Sequence, residues 1–203
     1  MATNLKIDFA THDAAKYAVV HWHYSRVMPA GKIVRIGVWE DEQFKGVVLF
    51  SSGTRGFKQY GLTQEGYCEL TRVALRDHAT PVTRIIRIAL KLLKQACPGL
   101  RLVVSYADAN QGHVGGIYQG GNWIYEGEFA ENQGIRLRGK VRHSRTIGEI
   151  YGTASISWLR ANIDPKAEHV RGKPKFKYLM ALDRDMREEV AKRSKPYPKA
   201  AEA

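Results

Sequence analysis

Hydrophobic and polar positions alternate in LKIDF (5–9), which predicts a first strand. Thr11 then stands where a helix cap is wanted, and Ala14, Ala15, Ala18, Val19 and Trp22 recur at helical spacing, so a helix is expected through about Tyr24. Pro29 and Gly31 mark 25–32 as a loop. VRIGVWED (34–41) and FKGVVLFSSG (44–53) are β-rich runs joined by a short acidic turn and predict a hairpin. A polar, glycine-punctuated loop (54–66) leads to a further strand, YCELTRVAL (67–75). Thr80 is placed to cap the next helix with Pro81 at its first position. Val82, Ile85, Ile86, Ala89, Leu93 and Ala96 form its apolar stripe, and Arg84, Arg87, Lys91 and Lys94 fall largely on the other face. Pro98-Gly99 stops it before LRLVVSYAD (100–108), a nearly continuous apolar strand of the kind buried within a sheet. Strand, helix and strand within about 40 residues make a crossover unit, so these two strands are expected to run parallel. A short glycine-rich helix in GHVGGIYQGGNW (112–123) and a strand in WIYEGEF (123–129) follow.

The expected fold is therefore α/β, a mixed and mostly antiparallel sheet with a central parallel strand-helix-strand unit and helices on both faces. The chain has 203 residues, a length that suits one domain (1–193), with SKPYPKAAEA (194–203) as a loose tail. Its 44% hydrophobic and 26% charged content excludes disordered and low-complexity classes. No apolar run approaches the roughly 18 residues of a membrane span, and the N-terminus lacks the apolar stretch of a signal peptide. Two cysteines, Cys68 and Cys97, supply neither a disulfide framework nor a zinc site and fit a reducing compartment.

Charge changes the picture more than composition does. Lys and Arg number 32 against 20 Asp and Glu, a formal net charge of +12. GIRLRGKVRHSR (134–145) holds Arg136, Arg138, Lys140, Arg142 and Arg145 without an acid, and RGKPKFK holds Arg171, Lys173, Lys175 and Lys177. Cations at alternate positions share one face if the segment is extended. Such a face is either a solvated edge strand protected from aggregation or a polyanion-binding surface; two acid-free runs favour the second.

Four places could carry chemistry. His21-Trp22-His23-Tyr24 closes the first helix, but His21 and His23 lie about 200° apart on an ideal helix and cannot face one site unless the helix has ended. The alternative is a surface histidine near a helix C-terminus. The strand end SYADANQGH carries Ser105, Asp108, Asn110 and His113 where open α/β sheets collect ligands; Asp108 is a turn cap or a functional acid. Tyr118 follows Gly115 and Gly116, which indicate close approach of a backbone or ligand. The helix start at Thr80-Pro81 with Arg84 is a potential anion site. Trp22, Tyr106 and Trp123 offer aromatic faces, for a base or for the core.

HWHYS (21–25), CELTRVAL (68–75), TPVTRI (80–85), SYADANQGHVGGIYQGGNW (105–123) and SISWLRANIDP (155–165) together resemble the Mom family of Mu-like phages, over roughly residues 15–185. The resemblance implies a divergent GNAT acyltransferase fold. It also implies an enzyme that adds a carbamoylmethyl group to the exocyclic amine of adenine in double-stranded DNA, protecting phage DNA from restriction in the host bacterial cytoplasm. The family's His-Tyr pair, Asp and a Tyr ten positions later fall on His23-Tyr24, Asp108 and Tyr118. Iron held by His23 and Asp108, an acyl donor such as acetyl-CoA held by Thr80 and Arg84, and DNA held by Arg136, Arg138, Lys140, Arg142, Arg145, Lys173 and Lys175 complete the expectation. Monomer and dimer both stay open. One departure stands out: the glycine-containing loop with which acetyltransferases hold the coenzyme A pyrophosphate reads here RDHATPVTR (76–84), without glycine. The rival readings are a conventional CoA-dependent N-acetyltransferase and a non-catalytic basic DNA-binding protein.

Overall fold

The computed structural model describes residues 3–53, 55–129, 133–172 and 174–199. Strands β1 (Leu5–Phe9), β2 (Ile33–Glu40), β3 (Gln43–Ser51), β4 (Tyr67–Leu75), β5 (Leu102–Asp108), β6 (Ile124–Phe129) and β10 (Lys175–Ala181) form a seven-stranded sheet in the order β1-β2-β3-β4-β5-β10-β6. β1 to β4 pair antiparallel, and β4 and β5 pair parallel across the crossover helix α2 (Val82–Ala96). Contacts divide the chain into two compact units. The first comprises 1–107, 115–127 and 177–203; the second comprises 108–114 and 128–176.

In the first unit, α1 (His12–Trp22) is capped as its sequence predicts, Thr11 Oγ1 accepting from Ala14 N–H at 3.2 Å. It buries Ala15, Ala18 and Val19 on Val47, Leu49 and Ala74. The helix ends two residues before Tyr24, because His23 is already extended. On the same face, Met186 and Val190 of α6 (Arg184–Ala191) pack with Leu102, Val104 and Leu179. α2 lies over the opposite face with Ile85, Ile86, Ala89 and Leu93 buried. The loop 54–66 contains two short 3-10 turns, Arg55–Tyr60 and Gln64–Gly66. The tail, expected to be loose, makes bonds to the first unit at residues 195, 197 and 198. Lys195 N–H reaches Tyr125 O at 2.8 Å, Tyr197 hydroxyl reaches Trp123 O at 2.7 Å, and Pro198 O accepts from Gln119.

The second unit is a three-stranded sheet, β8-β7-β9, built from β7 (Gln133–Leu137), β8 (Lys140–His143) and β9 (Glu168–Arg171). With α4 (Ser144–Tyr151) and α5 (Ile156–Asn162) it encloses Ile135, Leu137, Ile147, Leu159 and Ala167. Among the described residues, no helix is long and apolar enough to cross a membrane.

Candidate active site

The site grows from one irregularity in β4. Leu49 pairs with Arg72 and Phe50 with Leu70, so Thr71 is an extra residue opposite no partner. Such a bulge bends its strand. The parallel register with β5 runs only from Tyr67↔Leu102 to Leu70↔Ser105, while β4 continues to Leu75 and β5 to Asp108. The two strands part at the bulge. A buried carbonyl at the end of a ladder must find another donor. Leu70 O finds the hydroxyl of Ser105, fully buried, at 2.8 Å.

Ser105 Oγ is also 2.7 Å from the hydroxyl of Tyr118. One serine proton cannot serve both contacts. When Ser105 gives it to the phenol oxygen, Tyr118 keeps its own hydrogen for another acceptor; when Leu70 O takes it, Tyr118 donates to Ser105 Oγ. Tyr118 comes from the single-turn helix α3 (Gly116–Gln119) and is clamped between Trp123 and Tyr178, with ring centroids 5.2 and 5.1 Å away. Gly115 explains the approach. Its φ is +85°, and a Cβ there would lie 2.3 Å from the Tyr178 ring. The close approach foreseen at this glycine is thus to a side chain of the core, whereas Gly116 faces open space.

Burial pushes the Tyr118 phenol up to about 12; the Ser105 bond opposes the shift, and negative charge on Tyr24 or Glu69 adds to it. At neutral pH Tyr118 is therefore a proton donor, not a base. The carboxylate that reaches it electrostatically, Glu69, was not singled out in the sequence. Its signal there is an acid inside the apolar strand YCELTRVAL. Register places Glu69 with Val104 on one face of the sheet and Leu70 with Ser105 on the other. Tyr106, two residues beyond Val104, shares the Glu69 face, and burial first, then Glu69, raises its phenol to about 12. The parting of β4 and β5 thus has a neutral phenol on one face and a half-buried carboxylate on the other. Tyr24, exposed just beyond α1, is close enough to influence Tyr118.

The remaining expected residues fall out as follows. His21 stays on α1, exposed, its ring tilted 42° to that of Tyr17 with centroids 4.4 Å apart. His23 is the C-cap, its Nδ1 accepting from Ser25 N–H at 3.1 Å and lying 2.8 Å from Ser25 Oγ. That bonding leaves Nε2 as the protonated nitrogen of the neutral ring. Asp108 ends β5 and belongs to the second unit; its Oδ1 caps the following turn, accepting from Asn110 N–H at 2.9 Å and from its Nδ2 at 3.1 Å. The structure lends the iron expectation no support. Among the described residues no three His, Cys, Asp or Glu side chains converge, and His23 Nδ1 and Asp108 Oδ1 are already engaged. Trp123 is a core residue, and Trp22 packs on Phe44 in the α1 cluster.

The start of α2 corrects another expectation. Thr80 does not cap the helix: Pro81 occupies the cap position, and the N–H groups of Ala79 and Thr80 each donate at 2.7 Å to the carboxylate of Glu40. Burial alone would raise Glu40, but the Thr80 hydroxyl and those two amides outweigh it and lower its pKa. The amides of Ala79 and Thr80, just ahead of the helix, therefore already hold an anion of the protein's own. Arg84 is exposed on the outer stripe of α2.

The basic runs do not make one face. Residues 133–143 fold back on themselves at Arg138-Gly139, both with positive φ, as a two-residue hairpin turn requires. Arg136 is paired with Glu168 across the strands. Register puts Lys140 and Arg142 on the face of Leu137 and Ile135, opposite to Arg136. Lys140, Arg142 and Arg138 are exposed, and Lys175 is half-buried. Lys173 and the side chain of Arg145 lie outside the described residues. Lys177 is buried, 2.7 Å from Glu126, which also accepts from Tyr60 at 2.6 Å.

Comparison with known proteins gives the family and the fold. The model of the Mom protein family matches residues 4–199. The methylcarbamoylase mom of Escherichia phage Mu is 28% identical over 189 residues, covering 87% of this chain and 76% of that protein. Among solved structures, a protein of Acinetobacter baylyi ADP1 described as a candidate acetyltransferase superposes with a TM-score of 0.53. It is 12% identical and covers 90% of this chain and 94% of its own, a likeness of fold.

Proposed function

The chain belongs to the Mom protein family, and on that footing we propose that it is a transferase that places a carbamoylmethyl group on the exocyclic amine of adenine in DNA, guarding that DNA against restriction endonucleases. The observation that carries the reading is the parted pair β4 and β5, with the Tyr118 phenol on one face and the Glu69 carboxylate on the other. Adenine's amine is a weak nucleophile, its lone pair delocalised into the ring. It is also out of reach until the base leaves the stack. As the nitrogen–carbon bond forms, the bond from that carbon to the donor breaks, the donor leaves with the electron pair, and one amine proton departs to Glu69, the acceptor we assign. The donor enters from the Tyr118 face, where the phenol hydrogen-bonds the donor atom that gains negative charge and Ser105 holds the phenol in place. Asp108 and His23-Tyr24 are carried over as residues required for activity. The exposed cations Arg138, Lys140 and Arg142 are assigned to DNA phosphates, where they hold the duplex without reading it.

Acetyl-CoA stays a candidate donor, although the loop ahead of α2 lacks glycine and Glu40 takes the amides of Ala79 and Thr80. The test is direct. DNA from bacteria expressing the protein is digested to nucleosides and analysed by mass spectrometry, and a carbamoylmethylated deoxyadenosine is expected. Unmodified DNA from cells holding the folded protein overturns the reading, and an acetylated product with acetyl-CoA replaces it by the conventional acetyltransferase. Glu69→Gln should lower product formation by about 100-fold or more.

A further inference from the structure

The outer face of α2 has no part in the site just described, yet it carries the most ordered charge in the first unit. Arg84, Arg87, Lys91 and Lys94 recur every three or four residues, so they stand in one row about 15 Å long. The row forms one wall of a groove of about 1220 Å³, and Arg184 and Arg187 of α6 stand at its far end. Ile86, Leu90, Met180 and Leu182 line the base. Gly120 and Gly121, just past α3, also line it, and a Cβ at Gly120 would lie 3.2 Å from the Thr83 side chain.

Acids that would neutralise the row are engaged elsewhere. Asp183, which also lines the groove, is held by Arg101 through two bonds of 2.8 and 2.9 Å. Glu188 takes Arg184 at 3.1 Å, and Lys94 spends its ammonium on the carbonyls of Pro98 and Leu100. Arg84, Arg87, Lys91 and Arg187 have no acid within ion-pair distance among the described residues. A compact anion needs donors that converge on it, whereas a straight, evenly spaced row complements a polymer of evenly spaced phosphates.

We propose that this groove is a second DNA-binding track, in which the row on α2 and Arg187 follow the phosphodiester backbone of the substrate duplex. The inference rests on the DNA-modifying reading above and adds to it a surface that the alternating basic runs did not reveal. Neutralising three phosphate contacts lowers the slope of log affinity against log salt by about 2.7.

The experiment measures binding of the full chain to a fluorescent mixed-sequence duplex by anisotropy across a salt series. The triple variant Arg87→Gln/Lys91→Gln/Arg187→Gln should lose that slope and bind at least about tenfold more weakly near physiological salt. The charge-preserving Arg87→Lys/Arg187→Lys should bind as the parent does, and thermal melting of each variant separates lost contacts from lost fold. A triple variant with unchanged slope and affinity overturns the track while leaving the DNA reading intact. A parent protein that binds no DNA overturns both. Equal loss on a single-stranded oligonucleotide alone, with duplex binding unaffected, overturns the assignment to the duplex.

Discussion

The interiors of the two units differ. Beneath a surface that includes the exposed row on α2, the first takes polar groups out of water and pairs them at single points: Ser105 with Leu70 and Tyr118, Lys177 with Glu126, Glu40 with two amides. In the second, a small apolar core of five buried side chains carries its charge outside, on Lys140, Arg142 and their neighbours. Buried polar groups are held in one geometry and are costly to disturb, which suits chemistry. Exposed cations are individually worth little to stability and act on partners through a screened field, which suits holding a polyanion.

This contrast can be broken at several points. The largest effect is expected at Tyr118→Phe, which keeps the ring and its packing but removes the donor. Product formation measured on nucleosides should fall by about 100-fold or more, with DNA affinity unchanged; full activity would remove Tyr118 from the chemistry. Next comes Lys177→Met, which leaves Glu126 buried with only the longer 3.4 Å contact to Arg193 and the Tyr60 hydroxyl. Denaturant unfolding should show a loss of roughly 3 kcal/mol. If DNA affinity fell instead, Lys177 would belong to the outer class. Lys140→Gln/Arg142→Gln should do the reverse, lowering the salt slope of DNA binding by about 1.8 without moving the unfolding midpoint. The smallest effect is alkaline. The Tyr118 proton is bound more tightly in the folded chain than in the unfolded one, so stability is fully present below about pH 10 and is lost as pH rises toward 12. Unfolding curves of Tyr118→Phe should show a shallower decline over that window.

Legibility from the sequence followed the physics of each segment. β1, α1, the β2-β3 hairpin, β4, α2 and β5 all carry periodicity or caps strong enough to be read directly. α2 is the clearest case, since a helix has one fixed repeat and its charged row survives folding intact. The basic run at 134–145 failed for the complementary reason: alternation places residues on one face only while the chain runs straight, and Arg138-Gly139 reverses it. Thr80 misled because a residue that caps helices well also makes a good donor to a buried carboxylate, and Glu40 is distant in sequence. Ser105 was visible as a residue type at a strand end, and Tyr118 as one that follows a pair of glycines. Glu69 was not, because its importance comes from where two strands separate, and nothing local to CELTRVAL announces that separation.

That separation has a size counted in residues. Without Thr71, β4 would keep step with its neighbours, the ladder to β5 would be free to zip onward past Leu70, and that carbonyl would no longer need Ser105. A one-residue deletion at position 71 would then seal the crevice in a protein whose core residues are otherwise unchanged. The opening is an insertion kept in the strand, a crevice that exists because one amino acid is surplus to the sheet.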